Sequence, residues 1–222
     1  MRYRVILAHG FGKSYRDMEP LEKNLTALGY EVDNLNFPLT FPAIEKSAGI
    51  LRGFLLDLKE RGLSDEDEIV LIGYGLGGVL IEKTLADPEV RDIVDKILLI
   101  ASPVRDSVIR RRIKRIFPLL DKIFKPLKAL KKGRKFAIDN PRVEIGVIIG
   151  TEPCGFFKKW LGEYSDGVLS RKECELDTAK DTLVLPLVHK EIHKKPGTAK
   201  YISEFITKGK FRVYTETFHR SE

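Results

Sequence analysis

The chain has 222 residues, 43% of them hydrophobic, which is enough to form a folded α/β domain with a sizeable core. This composition excludes an intrinsically disordered chain, and two cysteines exclude a disulfide-dense scaffold. The net charge of +7 arises from one segment, because thirteen lysines and arginines stand against two aspartates between Arg105 and Lys135. A basic balance confined to one stretch is not typical of a protein that follows nucleic-acid phosphates, so nucleic acid is not the expected partner.

The two cysteines and the N-terminal residues predict a reducing, cytoplasmic location. Met1 to Leu7 runs straight into a strand-like segment without the apolar core of a signal peptide. A single bridge between Cys154 and Cys174 stays open, but the pair is too few for a secreted framework. The longest apolar runs, such as residues 97–101, are too short to span a bilayer.

Apolar, β-rich runs alternate with helical patterns, which predicts one mostly parallel sheet with crossover helices. The predicted strands are 3–8, 31–36, 68–72, 96–101, 143–149 and 182–188, and the predicted helices are 18–28, 44–58, 76–86 and 198–206. No repeat or shift in composition divides the chain, so residues 1–222 are expected to form a single domain.

The third predicted strand runs into a glycine-dense turn, Gly73-Tyr74-Gly75-Leu76-Gly77-Gly78, and then a helix. Its glycines fit the dinucleotide-binding pattern G-x-G-x-x-G, but that loop belongs after a first strand and needs an acidic residue after the next one. The same turn matches the nucleophile elbow G-x-S-x-G at every defined position except the serine, which is Gly75 here. A tight turn that merely requires glycine is the plainest interpretation of the motif alone.

Four segments together carry a resemblance to a known family. They are His9-Gly10-Phe11-Gly12, the glycine turn, Ser165-Asp166-Gly167-Val168 and Leu185-Pro186-Leu187-Val188-His189, in that order. In this order the chain resembles the α/β-hydrolase superfamily from Tyr3 to about Phe211, and in particular its small lipase- and esterase-like members. The resemblance implies an α/β-hydrolase fold, in which helices flank a mostly parallel central sheet, and a site of the carboxyl-ester hydrolase type.

The resemblance also assigns roles to five positions. Gly75 stands at the nucleophile position, Asp166 matches the acid and His189 matches the base of a catalytic triad. The backbone amides of Phe11 and Leu76 match the oxyanion hole. Without the resemblance, Asp166 would be an ordinary turn residue before glycine, and His189 a packed histidine.

Gly75 has neither hydroxyl nor thiol, so the triad as written cannot form an acyl-enzyme. The chain is therefore expected to be inactive as a serine hydrolase, either as a natural pseudoenzyme or through an engineered replacement of serine by glycine. The alternative is a non-enzymatic binding protein, which uses the inherited pocket for an acyl or other small ligand, or its basic segment for a partner. Slow hydrolysis by a water that His189 and Asp166 activate is a further alternative. No cofactor and no metal are expected.

Residues 103–137 are predicted to form a short basic helical cap over the site, as is frequent in the resembled proteins. Apolar residues recur at helical spacing and form one stripe, while lysines and arginines occupy the other faces, and Pro118 and Pro126 divide the segment into short helices. The apolar stripe consists of Ile109, Ile113, Ile116, Leu120, Ile123, Leu127 and Leu130. A helix packed on the core, with solvated lysines, explains the pattern nearly as well. Contact of the basic face with an anionic membrane is compatible with both interpretations.

His193 and Cys154 are two further residues that could belong to a site. His193 is predicted to be a surface histidine in the turn after His189. Cys154 is interpreted as a loop residue and not as a replacement nucleophile, because nothing in the sequence places His189 beside it.

Overall fold

The computed structural model describes residues 2–64, 66–105, 107, 111, 119–130, 133, 136, 138, 140–153 and 164–212. Much of the predicted cap, the segment that holds Cys154 and the C-terminal tail lie outside these residues.

Six strands form one sheet in the order β2-β1-β3-β4-β5-β6, and every neighbouring pair among them is parallel. The strands are β1 (Arg2–Ala8), β2 (Glu31–Leu35), β3 (Asp67–Tyr74), β4 (Lys96–Ile100), β5 (Glu144–Gly150) and β6 (Asp181–Leu185). This arrangement confirms the predicted parallel sheet.

Helices connect the strands and cover both faces of the sheet. They are α1 (Glu19–Ala27), α2 (Ile44–Glu60), α3 (Leu76–Thr84), α4 (Pro88–Arg91), α5 (Leu120–Ile123), α6 (Arg171–Cys174) and α7 (Pro196–Lys208), with short 3₁₀ helices at Tyr15–Asp17 and Lys125–Leu130. None of the described helices is long and apolar enough to cross a membrane.

The central strand β3 explains why the sheet is buried on both sides. Successive side chains of a strand point to opposite faces, so its unbroken apolar run supplies both of them. Ile69 and Leu71 belong to the core formed with α2 and α3, whereas Val70 and Ile72 belong to the core formed with α1 and α7. The site therefore stands on a sheet that is fixed from both faces.

The largest difference in strand boundaries is at β6, which was predicted over residues 182–188 and ends at Leu185. The following residue is Pro186, which has no amide hydrogen to continue a ladder. His189 consequently lies in a turn after the strand and not at its end. The short helices α4 and α6 were not predicted, because four residues are too few to show a helical period.

Candidate functional site

The candidate site lies at the edge of the sheet where the parallel strands end. The turns after β1, β3 and β6 carry His9-Gly10, Gly75 and His189, respectively. In parallel sheets the carboxyl ends of the strands form the usual place for a ligand. Residues from distant parts of the sequence thus meet at this edge.

Gly75 adopts a backbone conformation that ordinary residues avoid. Its φ and ψ angles are 53° and −119°, between β3 and the first turn of α3. A Cβ atom at this position would lie 3.7 Å from Nε2 of His189 and 3.8 Å from Cα of Gly10, both ordinary contact distances. A side chain at residue 75 would therefore have room, and it would lie next to the histidine.

Gly77 is required for a different reason, which is the close approach of α3 to β1. A Cβ atom there would overlap the carbonyl group of Ala8 far inside van der Waals contact. The overlapping atoms of Ala8 belong to the backbone, so no side-chain rotation relieves the overlap.

We expect Gly77→Ala to lower the free energy of unfolding by about 3 kcal/mol, through overpacking against the Ala8 carbonyl. Gly53→Ala on α2 is the matched control, since its Cβ would meet no atom within 4 Å. That change should stabilise the protein slightly, because alanine favours helix more than glycine does. Urea denaturation of both variants checks the difference, and similar stabilities would contradict it.

Asp166 and His189 form a short, direct hydrogen bond. Nδ1 of His189 lies 2.6 Å from Oδ2 of Asp166, and the amide of His189 donates to the Asp166 carbonyl oxygen at 2.8 Å. The other carboxylate oxygen, Oδ1, accepts from the amides of Val168 and Leu169 at 2.9 and 2.7 Å. A carboxylate oxygen can only accept, so Nδ1 is the donor in this bond, and Nε2 is the ring nitrogen that faces the space beside Gly75.

Behind His189 lies a buried group that the sequence did not reveal. The side chain of His193 is 0% exposed, so its prediction as a surface histidine was wrong. Its Nε2 lies 3.0 Å from the carbonyl oxygen of Asp17, and its ring stacks on Tyr74 with centroids 3.9 Å apart. Tyr74 donates from its hydroxyl to the His189 carbonyl oxygen at 3.2 Å, and burial raises the pKa of that phenol well above its usual range. Tyr74 and His193 thus pack against each other, and Tyr74 holds the turn that contains His189.

The buried His193 should make stability depend on pH. Burial lowers its pKa from 6.5 to about 4, although the Asp17 carboxylate acts in the opposite direction. Between these values the unfolded chain binds a proton that the folded chain excludes, so stability falls as the pH falls. We expect a loss of about 3 kcal/mol over this window from this residue. In urea denaturation at pH 7 and pH 4.5, His193→Gln should show a clearly smaller loss; an unchanged loss would refute the assignment.

His9 holds the loop that contains the Phe11 amide. It is fully buried, its Nδ1 donates to the Gly10 carbonyl oxygen at 3.0 Å, and its Nε2 accepts from the Phe37 amide at 3.0 Å. Burial lowers the pKa of this imidazole, which favours the neutral form that these two bonds require. The loop after β1 is thereby fixed at the edge of the site.

The Phe11 and Leu76 amides both belong to residues that line the same cavity as Gly75 and His189. Within the part of the chain that the structure describes, neither amide donates to a protein acceptor. Leu76 is the first residue of α3, where a helix leaves its amides without internal partners. The oxyanion-hole role of these amides stays a prediction.

The cavity has a volume of about 330 Å³ and a mostly apolar wall. Besides the four residues above, it is lined by Gly10, Lys13, Tyr74, Pro103, Ser107, Leu127, Leu130, Val168 and Leu169. Its volume is in the range that is typical for small-molecule sites. The arrangement can enclose an apolar group next to His189.

Part of the predicted cap contributes to this cavity. Leu127 and Leu130, from the apolar stripe, face it, while Lys122, Lys125 and Lys128 are exposed. The predicted stripe residues 109, 113 and 116 lie outside the described residues, and Ile123 is exposed rather than packed. The division of the chain into one domain with a cap, and membrane contact through its basic face, stay predictions.

The described cysteine is poorly suited to act as a nucleophile, and the described residues contain no metal cluster. Cys174 is a buried thiol whose pKa is raised well above its usual value by burial, so it is poorly suited to attack a substrate. Cys154 lies outside the described residues. Among those residues, no group of three histidine, cysteine, aspartate or glutamate side chains could hold a metal ion.

Comparison with known proteins relates this architecture to lipases and esterases. No family model matches the sequence, and no curated protein is significantly similar. Solved structures do match. A mature lipase of Bacillus licheniformis aligns at a TM-score of 0.69 and 16% identity, covering 92% of this chain and 90% of its own. A metagenomic carboxyl esterase aligns at a TM-score of 0.74 and 13% identity, and the alignment covers 93% of this chain and 76% of the esterase. Methylketone Synthase I of tomato, complexed with 2-tridecanone, aligns at a TM-score of 0.62 and 12% identity, and the alignment covers 94% of this chain and 99% of the synthase.

These similarities establish the fold. The chain has the α/β-hydrolase fold, with one parallel six-stranded sheet between helices and neighbours among lipases and esterases. At 12 to 16% identity the likeness extends to the fold and no further.

Proposed function

We propose that this protein has a carboxyl-ester hydrolase type of site that does not perform acyl transfer, and that it binds an acyl or other small apolar ligand in the site cavity. The observation that carries the proposal is the pairing of Asp166 with His189 beside a residue without a side chain, Gly75. In the proposal His189 stands for the base and Asp166 for the carboxylate that orients it, while residue 75 has no side-chain atom for the base to activate.

The proposal treats hydrolysis as a minor activity at most. In this proposal a water beside Gly75 is the nucleophile left for His189 to activate, and such water-dependent routes lack a covalent intermediate. A site without its nucleophile typically keeps only about 10³ to 10⁴-fold acceleration over water, from the oxyanion hole and binding. The same expectation holds for a natural pseudoenzyme and for an engineered replacement of serine.

Binding is supported by the composition of the cavity wall. Leu127, Leu130, Val168 and Leu169 surround the space beside His189 with apolar surface. The tomato neighbour is complexed with an apolar ketone, 2-tridecanone, which is compatible with a similar ligand class here. Apolar ligands gain affinity from removal of their surface from water.

A pair of valine substitutions tests the proposal. Val168 lines the cavity and Val184 on β6 does not, yet their exposures are similar, 39% and 37%. With methyl octanoate as the probe, we expect isothermal titration to show binding that Val168→Trp weakens at least about tenfold, because the indole fills the cavity. Val184→Trp should leave the affinity unchanged. No binding to the unaltered protein, or equal loss in both variants, would overturn the assignment of this cavity.

A further inference from the structure

We propose that the natural ligand of the cavity carries a carboxylate head on an apolar tail, and that one carboxylate oxygen occupies the space beside Gly75. This inference rests on the proposed binding function and specifies the head group. An ester presents one strong acceptor oxygen, its carbonyl, whereas a carboxylate presents two on one carbon. The site offers separate places for two such oxygens.

The first place is the space that the missing side chain leaves. Outside Gly75 and its two chain neighbours, the atoms nearest to a Cβ position at Gly75 are Nε2 of His189 at 3.7 Å, Cα of Gly10 at 3.8 Å and Cε1 of His189 at 4.0 Å, all ordinary contact distances. A ligand oxygen would stand beyond this Cβ position, on the cavity side of Gly75. There it would lie beside Nε2, near the place of a serine hydroxyl.

The second place is defined by the free amides of Phe11 and Leu76 on the same cavity. In the proposed binding mode, one oxygen of the carboxylate accepts from these amides while the other lies beside Gly75. The Leu76 amide also opens α3, whose amino end carries partial positive charge that favours an anion.

The histidine offers a hydrogen bond that an ester cannot complete. A carboxylic acid brings one proton, which would lie between its oxygen and Nε2 of His189, while Nδ1 donates to Asp166, which its two amide bonds hold as an acceptor. Hydrogen bonds between charged groups are roughly twice as strong as those between neutral groups. A carboxylate should therefore bind more tightly than its neutral ester.

The opposite orientation, with the head toward Lys13, is less well supported. Lys13 also lines the cavity, but its ammonium lies 3.8 Å from Asp17 Oδ1 and its side chain is 43% exposed. An exposed cation that already has a carboxylate nearby adds little to binding, since exposed ion pairs contribute little free energy.

Titration calorimetry with octanoate and methyl octanoate tests the inference. We expect octanoate to bind the unaltered protein at least tenfold more tightly than its ester. Gly75→Ala places a methyl group in the proposed oxygen space, and His189→Gln removes the imidazole that shares the proton; each should reduce or abolish the preference for octanoate. Gly62→Ala is the matched control, because it also has a positive φ but would meet no atom within 4 Å. Thermal unfolding verifies that each variant is folded.

The outcomes separate the two proposals. If both compounds bind the unaltered protein equally, the carboxylate inference is wrong while apolar binding stands. If neither binds, the proposed binding function itself fails. If Lys13→Met removes the preference and Gly75→Ala does not, the head lies at the mouth of the cavity and the inference is overturned.

Discussion

Replacement of Gly75 by serine is expected to accelerate the hydrolysis of p-nitrophenyl acyl esters at least about 10³-fold over the unaltered protein. The Cβ position 3.7 Å from His189 Nε2 allows the hydroxyl to reach hydrogen-bond distance of the base. Attack by this oxygen would form an acyl-enzyme, so the first turnover should release nitrophenol in a burst. Stopped-flow absorbance with esters of several chain lengths measures both the burst and the steady rate.

Gly75→Ala is the matched control, because it introduces the same Cβ without the oxygen and should give no burst. His189→Ala in the serine variant should abolish the gain. The serine variant is also expected to be less stable by about 1–2 kcal/mol, since an L residue is strained at φ 53° and ψ −119°. A folded serine variant that is inert on every ester would refute the esterase-type assignment and leave a binding role.

The fold was predictable because its signals are local and repeated. The apolar run of β3 and the helical period of α2 each span enough residues to define an element, and their alternation defines the parallel sheet. The ends of the strands were predicted less accurately. At β6 the single residue Pro186 ends the ladder, and the apolar pattern that continues to Val188 conceals it.

The order of the candidate site residues along the chain could also be predicted from the sequence, but the distances between them could not. The sequence places Gly75, Asp166 and His189 in the order of a hydrolase triad. It says nothing of the 2.6 Å bond between Asp166 and His189, which depends on the turns after β5 and β6. The structure brings these three residues together.

The burial of His193 near His189 could not be predicted from the sequence, for a physical reason. The environment of His193 is set by Asp17 and Tyr74, which lie far away in the sequence. Burial of a lone histidine in a turn therefore leaves no local pattern. A weak signal was present in the spacing, since His193 follows His189 by four residues in the short connection between β6 and α7. That spacing fits a surface turn equally well.

The second large effect is expected from Asp166→Asn in the serine variant. Oδ1 of Asp166 accepts from two backbone amides, so the asparagine must place its oxygen there and its amide nitrogen toward His189. Nδ1 of the imidazole would then have to accept this hydrogen bond, and its proton would move to Nε2. A protonated Nε2 cannot take the serine proton.

We therefore expect Asp166→Asn to lower kcat about 10⁴-fold relative to the serine variant, while affinity for methyl octanoate in the unaltered background changes little. Nitrogen-15 NMR of the imidazole reports the tautomer directly and should show the proton on Nε2. A large loss of activity with the proton still on Nδ1 would mean that Asp166 acts by charge instead of by orientation. Retained activity would mean that His189 takes its orientation from the Tyr74 and His193 contacts, and that the carboxylate is a turn residue.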